Sequence, residues 1–147
     1  MKKIILIALM CISFESIAQD FTPTQIRNTI KQAGGIEKFL KEMGKNTSSN
    51  LPINIDQDQE LFSVFAINNS IVYHARLLNV KKTEISDIQA LRKLKYDQGS
   101  RRMCTLPISS LAIKEFGASY KYIVYDRNDI FILDYTIDNK KCLSIDK

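Results

Sequence analysis

The chain of 147 residues carries a formal net charge of +5 at pH 7, and 45% of its residues are hydrophobic. This length corresponds to one domain with a modest core, which leaves little room for a deep catalytic cleft together with a separate cofactor domain. The small excess of positive charge says little about the partners of the protein.

The N-terminus has the organisation of a cleavable signal peptide. Lys2 and Lys3 form a positive segment, residues 4–14 are an apolar run, and the Ser-Ile-Ala sequence at 16–18 has small residues at both positions that a signal peptidase recognises. The apolar run has about half of the roughly 20 residues needed to cross a bilayer. We therefore expect residues 1–19 to be removed on export, with no transmembrane segment left afterwards.

The three cysteines divide between this segment and the rest of the chain. Cys11 as a lipid attachment site is a minor alternative, because the bulky Met10 precedes it. Cys104 and Cys142 stay in the exported chain, where an even number of cysteines is typical of disulfides. We predict a Cys104–Cys142 bridge rather than a metal site, because His74 is the only histidine that could add a ligand.

Helical spacing of apolar residues predicts an N-terminal helical segment and loop over residues 20–50. Pro23 favours a helix start, and the apolar stripe extends to Gly44. The Gly-Gly pair at 34–35 predicts a break between two shorter helices. The polar residues 46–50 are predicted as a loop.

Residues 51–147 are predicted to form the α+β core of the same single domain. Alternation of apolar and polar residues over 51–56 predicts a short edge strand. Two β-rich runs, 60–67 and 70–78, are separated by an Asn-Asn pair, which suits the tight turn of a hairpin. With that turn, the core-facing pairs are Ala66–Ile71, Val64–Tyr73, Phe62–Ala75 and Glu60–Leu77, and the pairs on the other face are Phe65–Val72, Ser63–His74 and Leu61–Arg76.

The second half of the chain reads as two helices followed by another hairpin. The first helix is predicted to start after the N-cap Thr83 and to end before Gly99, and the second to run from Pro107 to Gly117. The runs 120–125 and 130–137, joined by the turn residues 126–129, form the hairpin. The predicted fold class is α+β: an antiparallel sheet of four or five strands, made of two hairpins plus an edge strand, with helices packed on one face.

No set of residues indicates catalysis. His74 is the only side chain with an ordinary pKa near neutrality, and Ser63 is predicted to face it. No nucleophile elbow or glycine-rich oxyanion loop accompanies the pair, so a structural histidine is favoured. The alternating Asp56, Asp58 and Glu60 lack the glycine and the distal acidic ligand of a calcium loop, so we predict no metal site and no cofactor.

Four residues are candidates for binding a partner. His74 and Arg76 belong to the mixed face of the first hairpin, which a partner could cover. Tyr120 and Tyr122 place two rings on one face of the second hairpin, and tyrosine is favoured at interfaces. The basic residues between positions 81 and 102 are interspersed with acidic ones and carry no nucleic-acid motif, so no nucleic-acid partner is expected. Attraction to an acidic protein or to anionic lipid headgroups remains open.

The order and spacing of several residues form a recognisable arrangement: Leu51, Pro52, Asp56, Tyr73, Cys104, Gly117, Tyr120, Tyr122, Asp126 and Cys142. This arrangement resembles small exported proteins of Gram-negative bacteria. The resemblance implies an envelope location and the disulfide, and supplies no activity. Asp129 departs from the pattern, because a turn glycine is expected there.

Taken together, these features predict a periplasmic or secreted protein that binds another envelope protein without catalysis, as an accessory, chaperone-like or immunity protein. Two alternatives remain open. One is a small periplasmic hydrolase that uses His74, and the other is a carrier of a small ligand or lipid.

Overall fold

The computed structural model describes residues 21–145, so the predicted signal peptide lies outside the described residues. The helices are α1 (Pro23–Gln32), α2 (Ile36–Ser48), α3 (Ile88–Thr105), α4 (Pro107–Phe116) and α5 (Asn139–Ile145), with a short 3₁₀ turn at Lys82–Glu84. The strands are β1 (Ile53–Asn54), β2 (Gln59–Ile67), β3 (Ser70–Leu77), β4 (Ser119–Tyr125) and β5 (Phe131–Ile137).

The first two helices are separated where the sequence predicts a break. Gly34 and Gly35 adopt φ values of 90° and 107°, which side chains other than glycine rarely tolerate. The predicted end near Gly44 is wrong, because α2 continues to Ser48. A Cβ atom on Gly44 would lie 3.3 Å from the backbone nitrogen of Ala66, so this glycine allows α2 to approach β2 closely rather than ending the helix.

The five strands form one sheet in the order β1-β2-β3-β4-β5. All neighbours are antiparallel except β3 and β4, which are parallel. The predicted α+β class, the two hairpins and the edge strand are confirmed. Because a parallel pair needs a crossover rather than a tight turn, the chain passes through α3 and α4 between β3 and β4.

The predicted register of the first hairpin holds only near its turn. Val64 pairs with Tyr73, but an irregularity between Leu61 and Ser63 shifts the rest of β2 by one residue. Leu61 then lies opposite Ala75 and is buried. A one-residue shift exchanges the two faces of a strand, so the prediction that Phe62 faces the core is wrong.

The helix predicted to begin after Thr83 and to end before Gly99 has other limits. Thr83 lies in the 3₁₀ turn, and α3 begins after Asp87, whose carboxylate accepts the backbone N–H of Ala90 at 2.9 Å. Gly99 lies inside α3. A Cβ atom on Gly99 would lie 3.2 Å from the ring of Tyr135, so this glycine permits close packing of α3 on the sheet.

The turn between β4 and β5 is organised by a buried carboxylate. Asp126 accepts hydrogen bonds from the backbone N–H groups of Lys82, Asn128 and Ile130 at 2.8 to 2.9 Å. These bonds, with the one from Lys82 foremost, lower the pKa of Asp126. Asp129 has a φ of 62°, the left-handed conformation for which the resemblance led us to expect glycine.

Two apolar clusters hold the helices on one face of the sheet. The larger joins α1, α2 and α4 to the sheet through fully buried side chains such as Ile30, Leu40 and Tyr120. The smaller one lies under the start of α3 and includes Leu133 and Val124. Each fully buried aliphatic side chain contributes about 1.5 to 3 kcal/mol, so these clusters fix where the helices sit.

The predicted disulfide is present. Cys104 in the last turn of α3 is bonded to Cys142 in α5, with their Cα atoms 5.4 Å apart. Both cysteines are buried. The bridge therefore ties the C-terminal end of α3 to the helix that follows β5.

Removing this bridge should destabilise the protein strongly. The bonded residues are separated by 38 positions, and a loop of that size corresponds to about 4 kcal/mol in the chain-entropy model. We expect the double variant Cys104→Ser/Cys142→Ser to lose about that much free energy of unfolding in urea titrations. Adding reductant to the double variant is the control and should change nothing. A loss below about 1 kcal/mol would contradict a structural role for the bridge.

Candidate binding groove

A groove with a volume of about 630 Å³ lies on the helical face of the sheet. Its walls come from α2, the β1 region, α3 and the start of α4, and side chains of β2, β3, β4 and β5 form its floor. The volume is within the roughly 300–1,000 Å³ range of ligand sites in proteins. Its lining residues are Met43, Thr47, Ile53, Ile55, Asp56, Gln59, Leu61, Tyr73, Lys95, Gln98, Gly99, Arg102, Met103, Thr105, Leu106, Ile108, Ser109, Tyr120, Tyr122 and Tyr135.

A row of stacked tyrosine rings crosses the floor of the groove. Tyr73, Tyr122 and Tyr135 are register partners on β3, β4 and β5. Their ring centroids are 4.9 Å and 5.0 Å apart, with interplanar angles of 20° and 17°. Adjacent strands are about 4.8 Å apart, so the register itself stacks the rings. Tyr120 adds a fourth ring, 6.3 Å from that of Tyr73.

The row extends to α3 and α5 beyond Tyr135. The ring of Tyr96 lies 5.9 Å from that of Tyr135. The Lys141 ammonium lies 4.1 Å above the Tyr96 ring and 3.0 Å from a carboxylate oxygen of Asp97. A cation over an aromatic face is attracted to it, so α5 helps to hold this end of the row in place.

The floor is apolar enough to disfavour ionised tyrosine. Burial raises the pKa of Tyr122 to about 12, although the positive charge of Arg102 acts in the opposite direction. Burial also raises the pKa of Tyr135, with a smaller contribution from Tyr122. The groove thus combines neutral hydroxyl groups with flat apolar rings, and these suit a partner that is partly apolar.

One face of α3 forms a wall of the groove. Lys95, Gln98, Gly99 and Arg102 follow the spacing i, i+3, i+4 and i+7, which places them on the same side of a helix. The Lys95 ammonium donates to the side-chain oxygen of Gln59 at 3.0 Å. Arg102 and Gln98 are exposed, so they stand at the rim of the groove.

His74 and Arg76 lie on the opposite face of the sheet. The His74 ring packs against Phe62, Phe65 and Tyr125, and its Nδ1 lies 3.3 Å from the Tyr125 hydroxyl. Burial lowers the pKa of His74. Its neutral form is therefore favoured in an aromatic cluster.

Arg76 is held by two carboxylates and one aromatic ring. Its guanidinium pairs with Glu60 and with Asp129, the latter at 2.6 Å, and lies 4.4 Å above the ring of Phe62. Arg76 therefore links β2, β3 and the turn between β4 and β5.

The four candidate binding residues therefore separate into two pairs. Tyr120 and Tyr122 lie in the groove, while His74 and Arg76 lie across the sheet from them. Tyr73, Tyr135, Lys95 and Arg102 also line the groove, but the sequence analysis did not place them among the candidate binding residues. The strand order was the missing information, because β4 had to be placed between β3 and β5 before the tyrosines could be aligned.

The described part of the chain lacks two further features. Among residues 21–145, no group of three or more His, Cys, Asp or Glu side chains is arranged to hold a metal ion. Within the same residues, none of the helices combines the length and the apolar character needed to cross a membrane.

Comparison by sequence finds no matching protein-family model and no matching curated protein. Comparison of structures finds chains with the same fold. A “putative secreted protein” from Pseudomonas aeruginosa has a TM-score of 0.61 at 15% identity, with 73% of this chain and 92% of the other covered.

Two pilotins of type 2 secretion systems share the fold as well. EpsS from Vibrio vulnificus has a TM-score of 0.59 at 12% identity, with 77% of this chain and 94% of EpsS covered. AspS from Vibrio cholerae has a TM-score of 0.57 at 12% identity, with 76% and 96% covered. The identities are low, so the likeness is one of fold.

The raised pKa of Tyr122 predicts how stability depends on pH. An unfolded tyrosine ionises near pH 10, whereas Tyr122 in the folded protein ionises at about 12. The stabilisation that depends on neutral Tyr122 is therefore complete below pH 10 and is lost as the pH rises towards 12.

In spectrophotometric titrations at 295 nm, Tyr122→Phe should remove one tyrosine that ionises above pH 10. The control is protein unfolded in denaturant, whose tyrosines should ionise near pH 10. If Tyr122→Phe left the absorbance change above pH 11 unchanged, the raised pKa would not belong to Tyr122.

Proposed function

We propose that the protein is an exported binding module that takes up a segment of another envelope protein in the tyrosine-floored groove. The observation that carries the proposal is the groove itself. It presents the partly exposed rings of Tyr73, Tyr122 and Tyr135 and a wall formed by α3, and nothing in its lining has the arrangement of a catalytic site. Aromatic floors with polar rims are characteristic of protein-binding surfaces.

The length of the groove wall supports a peptide segment as the occupant. The groove-lining residues of α3 extend from Lys95 to Thr105, and a helix rises about 1.5 Å per residue. The wall is therefore about 15 Å long, enough for two to three turns of a partner helix. Binding of a helix in an apolar groove is a common mode of peptide recognition.

The structural neighbours support the same class of function. Two of them are pilotins of type 2 secretion systems, and a third is named as a secreted protein. An accessory role in the envelope, comparable to that of a pilotin, agrees with the predicted signal peptide and with the Cys104–Cys142 bridge. Pilotin-like binding is therefore the specific form of the proposal.

Transport of a small ligand is the second candidate. It is favoured by the volume of the groove, which is sufficient for a small molecule. The hydrolase alternative has less support, because His74 is surrounded by Phe62, Phe65 and Tyr125. Its Nδ1 contact is the Tyr125 hydroxyl rather than an orienting carboxylate.

Blocking the groove should abolish partner binding. Gln98 lines the groove and is exposed, whereas Arg101 is exposed on α3 but does not line it. Tagged mature protein should capture a stoichiometric partner from envelope extracts of its own source, identified by mass spectrometry. We expect Gln98→Trp to reduce the yield of that partner by about tenfold or more, because an indole at the rim would obstruct entry of the segment into the groove, and Arg101→Trp to leave it unchanged. Equal capture by both variants would contradict the proposed site, and a small molecule in native mass spectra would favour the carrier.

Replacing His74 distinguishes binding from catalysis at the opposite face. His74→Ala removes ring contacts with Phe62, Phe65 and Tyr125, so we expect a loss of about 1 kcal/mol in the free energy of unfolding. Partner capture should be unchanged. Hydrolase screens should give the same result with the variant as with the original protein. An activity that His74→Ala abolishes would overturn the binding proposal in favour of the hydrolase.

A further inference from the structure

The cations of α3 differ in how they are neutralised. Arg92 lies 3.9 Å from a carboxylate oxygen of Asp134, and Lys93 lies 3.3 Å from one of Asp97. Neither of these two cations lines the groove. Lys95 and Arg102 do line it, and within residues 21–145 neither of them forms an ion pair with a carboxylate.

The one acidic side chain in the groove lining is already engaged in its own loop. A carboxylate oxygen of Asp56 accepts the backbone N–H of Asp58 at 2.8 Å. The groove lining therefore carries two cations and one carboxylate, and in the described part of the chain no carboxylate forms an ion pair with either cation. An occupant that supplied carboxylates would complement this charge.

The spacing of the two cations favours a helical backbone for the occupant. Lys95 and Arg102 are seven positions apart, so their Cα atoms are about 10.5 Å apart along α3. Carboxylates seven positions apart on a second helix would match that distance. On a strand, residues that share a face repeat about every 6.6 Å, and neither 6.6 nor 13 Å matches it as well.

We propose, on the basis of the function proposed above, that the occupant of the groove is an acidic amphipathic helix. Its apolar stripe lies on the rings of Tyr73, Tyr122 and Tyr135. Two of its carboxylates, two helical turns apart, pair with Lys95 and Arg102.

The test uses two synthetic helical peptides as probes. Each has about 15 residues and a leucine stripe at i, i+3, i+4 and i+7. One peptide has glutamates at two positions seven apart beside the stripe, and the other has glutamines there. Binding is measured by fluorescence anisotropy at low salt to the mature protein, to Lys95→Gln/Arg102→Gln, and to the control Lys31→Gln/Arg101→Gln. The control removes the same charge from exposed residues outside the groove lining.

The glutamate peptide should bind the mature protein about tenfold more tightly than the glutamine peptide, as two exposed ion pairs would produce. Lys95→Gln/Arg102→Gln should reduce this preference to less than about twofold, and the control should keep it. Circular dichroism checks that both double variants fold.

Other outcomes separate the two proposals. Equal binding of both peptides, abolished by Gln98→Trp, would overturn the acidic-helix proposal and leave the groove as the binding site. Loss of the preference in both double variants would also overturn it, because the attraction would then come from the overall charge. No binding of either peptide, or binding unaffected by Gln98→Trp, would count against the groove itself.

Discussion

The crossover between the parallel strands β3 and β4 is the constraint on which the other features depend. A parallel pair cannot be closed by a hairpin, so α3 and α4 must pass over one face of the sheet. The Cys104–Cys142 bridge then fixes the junction of the two helices to the segment after β5. With the end of α3 held there and α2 close against β2, a gap remains between the helices, and this gap is the groove.

The same crossover determines what the floor of the groove contains. It brings β4 next to β3, which aligns Tyr73 with Tyr122, and the second hairpin aligns Tyr122 with Tyr135. Three tyrosines that are distant in sequence thus become adjacent rings at the strand spacing. The two faces of the sheet then differ in character: His74 lies in an aromatic cluster and Arg76 in ion pairs on one face, while neutral phenols line the groove on the other.

Local signals in the sequence predicted the parts of the fold that depend on neighbouring residues. The break at Gly34 and Gly35 and both hairpin turns follow from conformational preferences within a few residues. The disulfide followed from the number of cysteines and the expected export. The limits of α3, the irregularity in β2 and the tyrosine row could not be predicted, because they depend on tertiary packing. Gly99, for example, looks like a helix end, yet it is placed for close packing on Tyr135.

Binding in the tyrosine-floored groove is tested by an NMR spectrum of protein with ¹³C-labelled tyrosine rings, recorded while the glutamate peptide is added. The chain has six tyrosines; four of them line the groove, and Tyr125 lies on the opposite face and serves as an internal control. We expect the ring signals of Tyr73, Tyr122 and Tyr135 to move on saturation while that of Tyr125 stays in place. Movement of the Tyr125 signal alone would place binding on the other face of the sheet and contradict binding in the groove.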